Sequence, residues 1–252
     1  MAAWNIGKVV KHKQWSDTLH SLYVEADIAP FKAGQFVKMA LEVDGEVTGR
    51  PYSLVNPPDI QPLEIYFTEV PDGRLTSQLT QLKPGDEILV AQRAHGFLIV
   101  SELPEAKHLW LMATGTGVGP FISILATDEP WKRFEKIVLV YGVRTFSELS
   151  YQENISQIQA QYPEQFTFVP FISRENISPE ITATALPGRI PQAITDGTLE
   201  TQTGIKISAE NSQIMLCGNP QMVKDTTNVL NERGLKKHRR FEPGHISVEN
   251  YW

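Results

Sequence analysis

Apolar and polar positions in the first hundred residues alternate in short runs, which is typical of β-strands rather than of long helices. Turn signals such as Asp44-Gly45 and Lys83-Pro84-Gly85-Asp86 separate these runs. Many short strands at this spacing favour an antiparallel barrel or sandwich, with one short helix predicted over 75–82. The predicted strands include residues 35–41, 52–55, 63–67 and 87–91.

After about residue 104 the pattern changes to buried-strand runs that alternate with amphipathic segments. This alternation predicts a parallel sheet with helices on its faces. We therefore predict two domains, residues 1–102 and 103–252, with a surface loop over 176–187 in the second. Its predicted strands cover 109–113, 137–141, 166–171 and 213–217, and its predicted helices cover 118–126, 147–160, 189–195 and 220–233.

Composition excludes several classes of protein. The chain has 252 residues, 41% of them hydrophobic, which is ample for packed cores. A net charge of −6 gives no overall attraction to nucleic acid or to an anionic membrane. With Cys217 as the single cysteine, an intrachain disulfide and a cysteine-ligated cluster are excluded. No apolar run approaches about 18 residues, so we expect a cytoplasmic protein without membrane insertion.

Arg50-Pro51-Tyr52-Ser53 offers a cation, an aromatic ring and a hydroxyl within one predicted strand. A flavin needs a cation for its phosphate, a ring to stack on and a hydrogen-bond partner at N5, and these residues would supply them. Because alternate side chains share a face, Arg50 and Tyr52 are expected to point one way and Ser53 the other. The alternative is an ordinary strand with Tyr52 half-buried.

The segment 113–120 is rich in glycine and directly follows an apolar strand. Its backbone would approach a phosphate closely at the start of a helix, so a dinucleotide site is predicted here. A tight turn between strand and helix would use the same glycines without any ligand. Together with the preceding motif, the segment suggests two ligands held face to face for hydride transfer.

The second strand of the predicted parallel sheet distinguishes NADP from NAD. An NAD site places an acid near this point to hold the ribose, whereas here Arg144 follows the strand. Arg174 follows the third predicted strand, and Arg189 follows the loop after it. Three arginines at such positions favour recognition of a 2′-phosphate, with solvated surface residues as the alternative for each.

Three further features remain. Cys217-Gly218-Asn219-Pro220 ends the last predicted strand, where Gly218 permits close approach of a ring and Asn219-Pro220 suits a helix start. Cys217 would pack against a nicotinamide or serve as a buried structural residue.

The terminal Tyr251-Trp252 pair is expected to dock on the core or on a ligand ring. A dense basic run, Lys236, Lys237, Arg239 and Arg240, would attract an acidic protein partner or complement a helix end.

The order and spacing of these motifs resemble the ferredoxin (flavodoxin)–NADP⁺ reductases, particularly the compact bacterial type, over essentially the full length. The matching segments are Pro30-Phe31, Gly34-Gln35-Phe36, Arg50 to Ser53, Lys83 to Asp86, Thr114 to Pro120, Ser173-Arg174, Gly188 to Pro191, Cys217 to Met222 and Tyr251-Trp252. Plant-type relatives end in a single tyrosine, so the Tyr-Trp end is a departure from their pattern.

The resemblance implies a six-stranded antiparallel FAD-binding barrel followed by an NADP-binding α/β domain. It implies that Ser53, Cys217 and Tyr52 serve catalysis. FAD would be bound by Arg50, Pro51, Tyr52, Ser53, Tyr66, Phe67, Thr68, Arg74, Leu75, Thr76, Ser77, Thr116, Glu249, Asn250, Tyr251 and Trp252. NADP would be bound by Thr114, Gly115, Gly117, Val143, Arg144, Ser173, Arg174, Arg189, Asn219, Gln221 and Met222.

The implied activity is electron transfer between NADPH and ferredoxin or flavodoxin through FAD, in a monomeric bacterial protein with no metal and no nucleic-acid partner. The acidic electron carrier would dock near the basic run. Two alternatives remain at this point: a free-flavin or oxygenase-coupled NADPH reductase on the same scaffold, and a module that senses NADPH without turnover.

Overall fold

The computed structural model describes residues 3–176 and 185–250. Contacts along the chain divide it into two compact units. Unit 1 comprises residues 1–99 with 119–127, and unit 2 comprises residues 100–118 with 128–252.

Six antiparallel strands form a curled sheet in unit 1. They are β1 (Trp4–Gln14), β2 (Leu19–Glu25), β3 (Phe36–Val43), β4 (Glu46–Ser53), β5 (Leu63–Thr68) and β6 (Glu87–Ala91). Their order is β4-β3-β6-β1-β2-β5, and an antiparallel bridge between Leu54 and Ile65 joins the two edges. The predicted antiparallel barrel is confirmed.

The core of unit 1 lies inside this curled sheet. Inward-facing side chains such as Leu22, Val37, Met39, Ile65 and Val90 are fully buried there. Two short helices complete the unit: α1 (Thr76–Leu79), within the predicted 75–82, and α2 (Gly119–Leu125). The Oγ of Ser123 in α2 donates to the carbonyl of Asn56 at 2.8 Å, which fixes this helix beside the chain that leaves β4.

Three strands of the barrel differ from the sequence prediction. β1 and β2 were not among the predicted strands, and β4 begins at Glu46 rather than at residue 52. In β1 only Gly7 and Val9 are buried, so its sequence carries little apolar signal. No residue in the first half of β4 is buried, and this half is a strand because it pairs with β3 in a continuous register that runs from Glu46 opposite Val43 to Ser53 opposite Phe36.

Unit 2 is built on a parallel sheet, as the alternating pattern predicts. Its strands are β7 (His108–Thr114), β8 (Lys136–Val143), β9 (Phe166–Ile172), β10 (Leu186–Pro187), β11 (Ser212–Gly218) and β12 (Ile246–Asn250). Their order is β10-β9-β8-β7-β11-β12. The central strands are almost wholly buried, which explains their continuous apolar sequences.

Helices flank this sheet. They are α3 (Glu129–Arg133), α4 (Gln152–Gln161), α5 (Ile190–Thr195), α6 (Thr198–Thr203) and α7 (Pro220–Glu232). The predicted start of α4 at 147 is wrong, because a 3₁₀ turn at Phe146–Glu148 precedes it and Tyr151 has a left-handed φ of 61°. The helices α3 and α6 and the strands β10 and β12 were not predicted. β10 lies in the predicted loop 176–187, most of which is outside the described residues.

The side on which successive parallel strands are added changes at β7. The strands β8, β9 and β10 add on one side of it, whereas β11 and β12 add on the other. Ligands of open α/β sheets bind at such a switch point, outside the carboxyl ends of the strands. In unit 2 this point lies where Thr114 ends β7 and Gly218 ends β11.

Candidate functional site

Two buried hydroxyl groups lie at the end of β4. Tyr52 is 9% exposed, and its ring meets Phe67 edge-on with centroids 6.1 Å apart. Neither the Tyr52 Oη nor the Ser53 Oγ has a hydrogen-bond partner among the described residues. Buried polar atoms are normally paired, so two adjacent hydroxyls in this state indicate a place for a polar ligand.

Burial along this segment does not follow the two faces of the strand. Tyr52 and Ser53 are both buried, whereas Arg50 is exposed. Burial stops alternating here because α2 covers the chain just after Ser53, where Gly119 approaches Val55. Burial also raises the pKa of the Tyr52 phenol, so this hydroxyl remains neutral and can donate.

The cations of unit 1 are on its surface. Arg50 donates from Nη1 to the carbonyl of the adjacent Gly49 at 2.9 Å, which leaves most of its guanidinium available. Arg74 lies 3.6 Å from carboxylate oxygens of both Asp44 and Glu46, and all three side chains are exposed. Exposed ion pairs of this kind are weak and exchange readily for a phosphate.

The other predicted flavin residues of unit 1 have mixed surroundings. Tyr66 and Phe67 on β5 are buried, Thr68 is half-buried, and Pro51 is exposed. Three more of these residues lie at the start of α1, which has Leu75 as its N-cap. There Leu75 is buried, the Thr76 Oγ1 accepts from the Val70 N–H at 3.0 Å, and the Ser77 Oγ donates to the Gly73 carbonyl at 2.7 Å.

In unit 2 the glycine-rich segment packs tightly against the end of β11. Gly115–Val118 form a 3₁₀ turn that leads from β7. A Cβ on Gly117 would lie 2.4 Å from the Cys217 carbonyl oxygen. Gly218 has a φ of +129°, and a Cβ there would lie 2.5 Å from the Thr114 carbonyl oxygen. These two glycines are therefore required by the fold itself, whether or not a phosphate binds.

The end of β11 continues directly into α7. The Thr114 Oγ1 accepts from the Asn219 N–H at 2.9 Å, and the Asn219 Oδ1 caps α7 by accepting from Gln221 N–H at 2.9 Å and Met222 N–H at 3.3 Å. The predicted helix start is confirmed. Cys217 and Met222 are buried, whereas Asn219 and Gln221 are exposed at the helix end.

The predicted 2′-phosphate residues come together at the carboxyl ends of β8 and β9. The Arg174 N–H donates to the Arg144 carbonyl at 2.9 Å, and the Ser173 Oγ donates to the Val143 carbonyl at 3.0 Å. Arg189 follows β10, the next strand. Arg144, Arg174 and Arg189 are exposed, and within residues 3–176 and 185–250 none of them forms an ion pair.

Glu249 is the carboxyl group at this end of the sheet whose pKa is shifted furthest from its ordinary value. β12 places it in parallel register with Cys217, and both of its carboxylate oxygens are buried without a partner in the described chain. Burial raises the pKa of Glu249 to about 8. The family resemblance points to Glu249 as an FAD-binding residue, but the sequence does not show that its carboxyl group stays protonated. That property depends on burial in β12, a short strand with little apolar signal of its own. Asn250 pairs with Gly218, and Tyr251 and Trp252 lie outside the described residues.

The basic run lies at the other end of β12. Lys236, Lys237, Arg239 and Arg240 are exposed, and the Arg239 Nη1 lies 3.1 Å from a carboxylate oxygen of Glu242. In the described part of the chain, no helix has the length and apolarity needed to cross a bilayer.

Comparison with known proteins defines the class of protein. The oxidoreductase FAD-binding domain family matches residues 9–92, and the oxidoreductase NAD-binding domain family matches residues 111–228. The chain is thus an oxidoreductase with one domain of each kind.

Individual relatives identify the family. The flavodoxin/ferredoxin–NADP reductase of Escherichia coli is 45% identical, with all of both chains covered. The ferredoxin–NADP reductase of Pseudomonas aeruginosa is 36% identical over 96% of this chain and 95% of its own. A crystal structure of a ferredoxin NADP⁺ reductase from Neisseria gonorrhoeae with bound FAD and NADP is 30% identical, with a TM-score of 0.90 and full coverage of both chains. The chain belongs to the ferredoxin (flavodoxin)–NADP reductase family.

Proposed function

We propose that this protein transfers electrons between NADPH and ferredoxin or flavodoxin, with FAD and NADP(H) as its cofactors. The flavodoxin/ferredoxin–NADP reductase of Escherichia coli matches the whole chain, and the crystal structure of the Neisseria gonorrhoeae relative holds both FAD and NADP. The observation in this chain that supports FAD is the pair of buried, unpaired hydroxyls of Tyr52 and Ser53. When bound, FAD supplies the chemistry that accepts a hydride and releases electrons singly.

The residues of unit 1 would bind and orient the flavin. Arg50 would pair with the phosphates, Tyr52 would stack on the ring system, and Ser53 would donate a hydrogen bond near N5. The remaining contacts would come from Pro51, Tyr66, Phe67, Thr68, Arg74, Leu75, Thr76, Ser77 and, from unit 2, Thr116.

The residues of unit 2 would hold NADP at the switch point of the sheet. Thr114, Gly115 and Gly117 would approach the phosphates with backbone N–H groups. Arg144, Ser173, Arg174 and Arg189 would bind the 2′-phosphate, beside Val143. Cys217, Asn219, Gln221 and Met222 would place the nicotinamide.

Glu249 would take part through a protonated carboxyl group. At neutral pH its pKa of about 8 keeps it able both to donate and to accept a hydrogen bond. A neutral group is what a buried position beside a flat, uncharged ring requires. We propose that it contacts the FAD together with Asn250, Tyr251 and Trp252.

We propose an FAD domain over 1–102 and an NADP domain over 103–252, supported by the two family matches. We further propose a monomer in the bacterial cytoplasm, with the acidic carrier docked on Lys236, Lys237, Arg239 and Arg240.

Two measurements test the function. The purified protein should be yellow, should release FAD on denaturation, and should reduce ferredoxin or flavodoxin with NADPH. Reduction of free flavin at a rate that added carrier does not change would instead favour a free-flavin reductase. A colourless protein that takes up no FAD would refute the proposal.

The nucleotide assignment has its own test. Arg174→Ala combined with Arg189→Ala should raise the KM for NADPH about tenfold or more, because each charged hydrogen bond contributes about 1.5–3 kcal/mol. The KM for NADH should change little, and Arg93→Ala, an exposed arginine of unit 1, serves as the matched control. Equal effects on both nucleotides would contradict a 2′-phosphate site.

A further inference from the structure

A row of four rings crosses the sheet of unit 1 and ends at Tyr52. The His12 Nε2 on β1 lies 3.0 Å from the His20 Nδ1 on β2. The His20 ring stacks on Phe67, its register partner on β5, with centroids 5.6 Å apart and planes at 23°. Phe67 in turn meets Tyr52 edge-on. A histidine pair is thus connected by direct ring contacts to the residue proposed to carry the flavin ring.

The hydrogen bonds define the protons of the neutral pair. The Leu82 carbonyl, 3.1 Å from the His12 Nδ1, can only accept, so that nitrogen carries a hydrogen. In neutral His12 the Nε2 is then an acceptor, and the His20 Nδ1 must donate to it. This leaves the His20 Nε2 without a hydrogen, and it is buried with no partner among the described residues.

The pair reaches from solvent into the barrel. His12 lines a surface groove of about 360 Å³ together with Lys83, whereas His20 is only 5% exposed. Burial, and after it the proximity of His12, lower the pKa of His20. Glu69 acts in the opposite direction, as does a hydrogen bond with the backbone of Asp17. His20 is therefore neutral at neutral pH, and its protonation falls below the ordinary pKa of 6.5.

We propose that His20 is a positioning residue for Tyr52. While His20 is neutral, its ring supports Phe67, and Phe67 supports the edge of Tyr52. A proton on the Nε2 would place a cation in a mainly apolar core, where Glu69 and the Asp17 backbone only partly offset the cost of burial, so the ring must move. Tyr52 then loses its support, and FAD binding weakens as the pH falls below 6.5. The inference rests on the proposed function only in assigning FAD to Tyr52.

His20→Phe separates packing from protonation, because it keeps a ring against Phe67 but cannot take up a proton. We would measure the Kd for FAD by flavin fluorescence, together with visible circular dichroism of the bound flavin, at pH 7.5 and 5.5. Wild type should bind about two- to tenfold more weakly at pH 5.5, the range that one aromatic contact accounts for. His20→Phe should change less than twofold, and His95→Gln, an exposed histidine of unit 1, should behave as wild type.

A His20→Phe protein with the pH dependence of wild type overturns the proposal. His12→Gln covers a failure of that variant to fold, because removing the neighbour that lowers the His20 pKa should move the transition to higher pH; an unmoved transition also overturns it. NMR titration of the histidine Cε1–H signals in flavin-free protein, with near-ultraviolet circular dichroism for the tyrosine, gives an independent measurement. Wild type that binds no FAD refutes the proposed function instead, and the flavin-free titration still decides the role of His20.

Discussion

At the scale of single residues, the site depends on groups whose burial the sequence does not reveal. The segment from Arg50 to Ser53 has the residue types that a flavin requires, but many strands that bind no ligand have the same residue types. The difference lies in Tyr52 and Ser53, whose hydroxyls are both buried and unpaired in the described structure. That state follows from the cover that α2 provides, which is a property of the folded unit.

The charge of Glu249 likewise depends on burial that the sequence does not reveal. Its folded pKa of about 8 lies above the ordinary value of 4.5, so the folded protein keeps a proton that the unfolded chain loses. The stabilising contribution is complete below pH 4.5 and is lost as the pH rises through about 8. Urea unfolding from pH 5 to 8.5 should show the free energy of unfolding of wild type falling relative to Glu249→Gln, by at most about 1.4 kcal/mol per pH unit. Parallel curves for the two proteins would contradict the burial of an ionisable group there.

At the scale of elements, long buried segments could be predicted and short or half-exposed ones could not. The strands β7, β8, β9 and β11 differ from the predicted ranges by one or two residues at an end, because burial on both faces makes their sequences continuously apolar. β1 and the first half of β4 depend on pairing with neighbours and have little apolar signal of their own. β12 has five residues, and only its pairing with β11 makes it a strand.

The contact between the glycine-rich turn and β11 gives a prediction at this scale. Gly117→Ala should lower the free energy of unfolding by about 1–3 kcal/mol through overpacking against the Cys217 carbonyl. Gly218→Ala should lower it further, because a left-handed backbone costs an additional amount of about 1–2 kcal/mol. Gly204→Ala is the matched control, since its φ is +69° and its Cβ would meet nothing within 4 Å. Urea unfolding measures all three, and a negligible loss for Gly117→Ala together with equal losses for Gly218→Ala and Gly204→Ala would show that crowding at β11 has no energetic weight.

At the scale of the whole molecule, charge is distributed unevenly. The net charge is −6, yet residues 236–240 carry four cations on the surface. Arg239 has its carboxylate partner in Glu242. The run precedes β12, at the amino end of a strand whose carboxyl end holds Glu249 and Asn250. An acidic partner at the run would therefore occupy the end of the sheet opposite the proposed nucleotide residues.

Neutralising the run tests whether the carrier uses this surface. A variant with Lys236, Lys237, Arg239 and Arg240 changed to Gln should reduce ferredoxin or flavodoxin more slowly at low ionic strength, because steering of an acidic partner is lost. The difference from wild type should shrink at about 0.5 M salt, where the Debye length falls to a few ångströms. Lys8→Gln combined with Lys38→Gln, two exposed lysines of unit 1, controls for loss of charge in general. Stopped-flow rates that are the same for both variants at every salt concentration would place the carrier elsewhere, and the exposed arginines at the ends of β8 and β9 would then be the next surface to test.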